Sequence, residues 1–144
     1  MRDFMNDWFD WFAEGMEAMD PAAREKFFGR CGRACCETAP IHFFRAHFES
    51  ACCDLDAFFE RLCEIPGANG RVVEPGCTYE IAFKACLCDL YTRGYVQSDV
   101  ICECSRGSIA HVMETLAPAR PCRIEKTHTI LGGADECRFR IEFL

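Results

Sequence analysis

The stretch Cys122-Arg-Ile-Glu-Lys-Thr-His-Thr-Ile130, then Leu131-Gly-Gly-Ala-Asp135 and Cys137-Arg-Phe-Arg-Ile-Glu-Phe143, reads as a β-hairpin. Apolar and polar residues alternate along both arms, and the paired glycines supply the turn. Period-two geometry puts Cys122, Ile124, His128 and Ile130 on one face of the first arm. Cys137, Phe139, Ile141 and Phe143 form the matching face of the second. Ahead of the hairpin, residues 99–116 predict a long helix. At about 100° per residue its inward face holds Ile101, Ser105, Ser108, Ile109, Val112, Met113 and Leu116. Cys102 lies within that arc, Cys104 at its flank, and His111 points to solvent. Cys102, His128 and Cys137 therefore converge where this helix crosses the sheet.

Working outward, the β half begins at Arg71-Val-Val-Glu74, turns at Pro75-Gly76 and continues over residues 77–88. As a strand, that run puts Cys77, Tyr79, Ile81, Phe83, Ala85 and Leu87 on one face. Cys86 and Cys88 sit side by side on the other, as the more accessible thiols. The first 66 residues read as helices. Residues 3–19 carry an apolar stripe of Phe4, Trp8, Trp11, Phe12 and Met19. Asp20-Pro21 starts a second helix that runs to about Glu37. Its inward face holds Phe27, Phe28, Cys31, Ala34 and Cys35, while Gly29 and Gly32 weaken it. A third helix covers 41–53, with Phe43, Phe44, Phe48 and Cys52 inward and with His42 and His47 at surface or packing positions. Asp54 starts a fourth, with Phe58, Phe59 and Leu62 inward. The expected fold is one α+β domain over residues 1–144: a helical half (1–66), then an antiparallel sheet with a long crossing helix and a C-terminal hairpin (71–144).

Composition bounds the function. The 144 residues are half hydrophobic and include 13 Phe, enough for a real core. A net charge of −7 with no Lys/Arg run argues against a nucleic-acid binder. The N-terminus is too acidic and broken for a signal peptide, and no apolar run reaches membrane-spanning length. A cytoplasmic, non-membrane protein is expected. The 13 cysteines are an odd number, so a closed disulfide framework is not expected. The remaining readings are core packing, metal ligation and reactive thiols. Cys31 and Cys35, four apart, are adjacent on one helical face that also carries two Phe, which favours packing.

Catalytic signatures such as Gly-x-Ser-x-Gly, a phosphate-binding glycine loop, His-Glu-x-x-His or Cys-x-x-Cys are absent from the sequence. The candidate chemistry lies in the C-terminal third. Thiolate and imidazole suit zinc, so Cys102, His128 and Cys137 are candidate ligands, with Glu125 or water as the fourth. In a regular strand Glu125 faces away from His128, toward Arg138 or Arg140, and a bulge near Lys126–Thr127 would be needed to bring it round. The same residues also fit two core cysteines with a hydrogen-bonded histidine, or a metal-free pair in which His128 and Cys137 are catalytic.

This region resembles two related families. Cys102, Gly107, Glu125 and the cysteine after a Gly/Asp-containing turn are similar to the 4-vinyl-reductase domain, a small-molecule-binding module related in fold to haem–nitric-oxide-binding domains. That resemblance implies zinc on Cys102, Glu125 and Cys137, with His128 in place of a further cysteine. Glu125-Lys-Thr127-His-Thr129-Ile130, Gly132-Gly133 and Cys137-Arg-Phe139-Arg140-Ile141 resemble the C-terminal signature of L-2-amino-thiazoline-4-carboxylic acid hydrolase-like proteins. That resemblance implies hydrolysis of a small cyclic amidine or thiazoline. The alternatives are a non-catalytic ligand or metal sensor with structural zinc, and a cysteine-rich metal-handling protein. A small-molecule ligand is the expected partner. The aromatic stripe of the first helix could pack on its own domain or form a homo-oligomer contact.

Overall fold

Aspartates start three of the helices. Asp3, Asp20 and Asp54 each accept a first-turn backbone N–H, from Asn6, Ala23 and Ala57 respectively. The computed structural model describes residues 3–144. Helix α1 spans Phe4–Glu17 and α2 Pro21–Thr38. Ala39 breaks the chain, and Pro40 opens α3, Pro40–Ser50. Cys52 and Cys53, both left-handed at φ 57° and 56°, end it, and α4 follows at Leu55–Glu60. Strands β1 (Ala68–Glu74) and β2 (Thr78–Phe83) form a hairpin. A short α5 (Asp89–Thr92) and a 3₁₀ turn (Asp99–Cys102) lead into α6, Glu103–Leu116. Strands β3 (Cys122–His128) and β4 (Cys137–Phe143) complete an antiparallel sheet in the order β1-β2-β4-β3.

The architecture is the expected α+β arrangement. Tyr79, Ile81, Ile124, Phe139, Ile141 and Phe143 on one sheet face pack with Ile109, Val112 and Met113 of α6 and with Phe58, Phe59 and Leu62. Each such side chain, fully buried, contributes about 1.5–3 kcal/mol. Tyr79 stacks on Phe59 at 4.3 Å, and its hydroxyl donates to Asp56 at 2.6 Å, so the largest core residue leaves no polar atom unpaired. No helix among the described residues is long and apolar enough to cross a membrane.

Several expectations are corrected. The strand predicted over 77–88 stops at Phe83, because Phe83 pairs with Ala68 and Cys137, the first residues of β1 and β4. The Lys84 N–H still donates to the Gly67 carbonyl at 3.0 Å, and the ladder ends there. Cys86, Leu87 and Cys88 therefore lie in a loop, with Leu87 exposed. Helix α2 is rotated from its predicted face. Phe28, Gly32 and Cys36 are buried, whereas Cys31 and Cys35 are exposed. Phe43, Cys52 and Ser105 are also exposed, and His111 is half-buried against Glu37 rather than free in solvent.

The rotation of α2 has a steric cause. A Cβ on Gly32 would stand 2.5 Å from the Ser108 amide nitrogen and closer still to the Cys104 carbonyl oxygen. A Cβ on Gly107 would lie 2.9 Å from Gly29 Cα. The two backbones touch, and only glycine fits. Gly32→Ala is expected to cost about 1–3 kcal/mol in urea unfolding, from overpacking against rigid backbone. A Cβ on Gly29 meets nothing within 4 Å. Gly29→Ala should therefore be neutral or stabilising, by up to about 1 kcal/mol of helix propensity.

Candidate functional site

The hairpin carries the predicted constellation but divides it. Lys126 pairs with Phe139 and His128 with Arg138, so Thr127 is an extra residue in β3. This is the bulge that the Glu125 reading required. Its effect is the reverse of the one sought. Upstream of it, Ile124 and Lys126 face α6 and Glu125 faces out. Downstream, the alternation is inverted, and His128 joins Glu125 on the outer face while Thr129 turns in and is buried. His128 Nε2 lies 3.3 Å from Glu136 Oε1 and Glu125 is exposed. Cys137 shares the inner face with Phe139 and packs against the core, its sulfur accepting from the Ile130 N–H at 3.4 Å.

His128 and Cys137 are thus on opposite faces of the sheet, too divided for the imidazole to take the thiol proton. Cys102, at the start of α6, is buried on the inner side near Cys137, while Glu125 and His128 lie on the outer face, so the four residues divide into two pairs. Among the described residues, no group of three His, Cys, Asp or Glu side chains is placed to hold a metal ion.

What the structure gathers on the inner side is a set of thiols. Burial first, then the neighbouring Cys137, pushes the Cys102 thiol up to about 12, against an opposing hydrogen bond with Thr129. Cys86 is also raised, mainly by burial and then by Cys137. Cys104, on the side of α6 that meets α2, is pushed up to about 12 by burial and then by Cys35, Cys31 and Cys88. Burial therefore favours the neutral, weakly nucleophilic thiol form of Cys102 and Cys104. Thr129 and Cys86 were missed as neighbours of this group. The first is hidden by the bulge, the second by the early end of β2.

The outer face carries a charged network that sequence alternation did not single out. Glu80 on the central strand β2 is buried, although it belongs to the solvent side of the sheet. Its Oε1 accepts from Arg71 Nη2 at 2.8 Å and its Oε2 from Arg138 Nη1. Burial alone would raise its pKa, but Arg138 and Arg71 together outweigh burial and hold the carboxyl below its usual range. Arg138 also donates to Glu136, through Nη2 at 2.9 Å and Nε at 3.0 Å, and Glu136 in turn contacts His128. Beside this network lies a concavity of about 380 Å³ lined by Asn69, Gly70, Arg71, Glu80, Ala82 and Arg138. Ala82, with only a methyl group on this face, leaves the hollow, and the two arginines flank it. It lies on the far side of the sheet from the pocket expected between helix and sheet.

No family model and no curated protein matches the sequence. Among solved structures, the chain is similar to trafficking protein particle complex subunit 3 from Naegleria fowleri, determined covalently bound to palmitic acid. That alignment has 16% identity and a TM-score of 0.45, covering 97% of this chain and 93% of the other. A likeness of this degree assigns no activity, ligand or partner. The resemblance to thiazoline hydrolases and 4-vinyl-reductase domains accordingly rests on the C-terminal residues alone.

Two outcomes follow from this geometry. Under native conditions iodoacetamide, read by peptide mass spectrometry, should modify exposed Cys31, Cys35, Cys63 and Cys88 well before buried Cys36 and Cys102. Glu80→Gln should lose about 2–3 kcal/mol of stability at neutral pH, since it leaves two arginines short of a partner. A carboxyl lowered by folding stabilises above its unfolded value and loses that contribution as pH falls through the folded one. The gap between wild type and Glu80→Gln should therefore hold at neutral pH and close only below the ordinary glutamate pKa of about 4.3.

Proposed function

We propose that the protein binds a small carboxylate-bearing molecule in the concavity on the outer face of the sheet, as a binding module rather than a catalyst. The observation that carries this reading is the lining itself. Two guanidiniums flank the hollow, and although Glu80 and Glu136 balance their charge, the arginines keep N–H donors that those carboxylates do not use. Arg71 is 63% exposed and commits Nη2 to Glu80, so further N–H donors remain for an incoming anion. Glu80 and Glu136 hold Arg138 in place before any ligand arrives, which lowers the ordering cost of binding. An arginine fork also suits the planar geometry of a carboxylate.

Binding is favoured over hydrolysis because the six lining residues include no Ser, Thr, Cys or His. The expected catalytic pair, His128 and Cys137, is separated by the sheet. A thiazoline carboxylate, the molecule implied by the C-terminal resemblance, carries the functional group this lining accepts.

The test is isothermal titration with 2-amino-thiazoline-4-carboxylate and with its neutral amide, alongside a search for ring-opened product. The carboxylate should bind, the amide should bind weakly or not at all, and no product should accumulate. Arg71→Ala should weaken binding about tenfold, the size of one charge-assisted contact. Equal affinity for acid and amide would refute the site, and accumulation of product that is unaffected by Arg71→Ala would place catalysis elsewhere.

A further inference from the structure

Helix α1 stands apart from the rest of the fold. None of its 14 residues is buried. Its inner side rests on the body through Phe9, stacked on Tyr95 at 5.6 Å, and Phe12, 6.3 Å from Phe27. Its outer side leaves Phe4 66% and Trp11 58% exposed, with Met5 and Trp8 beside them, and Phe27 of α2 extends the surface. The exposed rings order one another: Phe4 meets Trp11 edge-on at 6.2 Å, and Trp8 stacks on Phe12 at 5.5 Å. Several large apolar side chains exposed together on a rigid helix make a patch of the kind that marks an interaction surface.

The charges around it select the occupant. Positions 4, 8 and 11 form the outer stripe, and the acidic Glu14 and Glu17 stand along one edge of it at helical spacing. No Lys or Arg occurs between Phe4 and Glu17, and Arg24 of α2, at the end of the helix, is committed to the Met16, Glu17 and Met19 carbonyls. Along that acidic edge lies a concavity of about 450 Å³, to which Glu14, Glu17 and Asp99 contribute carboxylates. Lys126 stands 3.5 Å from Asp99 and offsets that one in part. Aromatic rings beside carboxylates complement apolar side chains beside Lys or Arg, and tryptophan faces also attract such cations directly. An anionic membrane is repelled by the same edge. A second copy would bring an equally acidic helix against this one.

We propose that the outer face of α1 is a docking surface for a basic amphipathic helix of another protein. Its apolar residues lie on Phe4, Trp8 and Trp11, and its Lys or Arg residues enter the acidic concavity. This surface is independent of the concavity on the sheet.

Trp8 and Trp11 are the two tryptophans of the chain, so intrinsic fluorescence reads the patch directly. The probe is a synthetic helical peptide of leucine and lysine at amphipathic spacing, titrated into the full-length protein. The expected result is a saturable blue shift, with affinity falling about tenfold between low and physiological salt. Trp11→Ala, at an exposed position, and Glu14→Lys should each weaken binding at least as much while leaving the thermal unfolding temperature unchanged. A peptide with glutamate in place of lysine should not bind. Equal binding of the acidic peptide, or no response to the basic one, overturns the proposal. So does a blue shift on phosphatidylserine vesicles without peptide, or a concentration-dependent dimer in sedimentation that Trp11→Ala abolishes.

Discussion

Two helix backbones in contact set the position of everything above the sheet. Where Gly32 of α2 meets the chain between Cys104 and Ser108 of α6, no side chain separates them. This contact fixes the rotation of both helices. It turns Phe28 and Cys36 inward and leaves Cys31 and Cys35 at the surface. It also presents Ile109, Val112 and Met113 to the sheet, whose face they fill. Glycine is a poor helix former, so its presence here trades local propensity for close approach. The cost is offset by dense packing of α6 between α2 and the strands.

The general plan was legible in the sequence because it depends on periodicity. Alternation identified the hairpin, aspartates marked helix starts, and the buried Phe58, Phe59 and Leu62 followed from helical spacing. What periodicity could not convey is where one element meets another. Gly29 and Gly32 read as weak points of a helix until α6 is seen against them. Residues 84–88 alternate like a strand, yet a strand exists only as far as its neighbours extend. The candidate site was the least legible part. The facing of His128 assumed an unbroken pleat, and one additional residue in β3 inverted it. Alternation puts Glu80 on the face opposite Tyr79 and Ile81, and only the arginines from two neighbouring strands make it a buried carboxylate.

The two faces of the sheet consequently have different chemistry. The inner face is apolar and thiol-rich, and burial suppresses thiol ionisation there. The outer face is polar, with its charges ordered in a chain from Arg71 through Glu80, Arg138 and Glu136 to His128. Each charge in that chain restrains the next, so a surface that would ordinarily be mobile is preorganised. Of the 13 cysteines, Cys36 and Cys102 are buried, and Cys31, Cys35, Cys52, Cys53, Cys63 and Cys88 are exposed.

The additional residue at Thr127 has a consequence for how such a chain changes over evolutionary time. In most of a sheet, exchanging one amino acid alters one contact. Here the loss of the Thr127 codon would straighten the strand and leave the facing of its neighbours as it is, because His128 already pairs with Arg138 as the residue after Lys126 would in a regular strand. If instead all the residues were kept and paired without a bulge, the histidine would enter the interior and the buried threonine would leave it, with no letter of the sequence altered. Two chains could therefore match letter for letter over Glu-Lys-Thr-His-Thr and still present different groups to solvent. In this hairpin the pairing of the residues, more than their identity, decides which chemistry each side of the sheet displays.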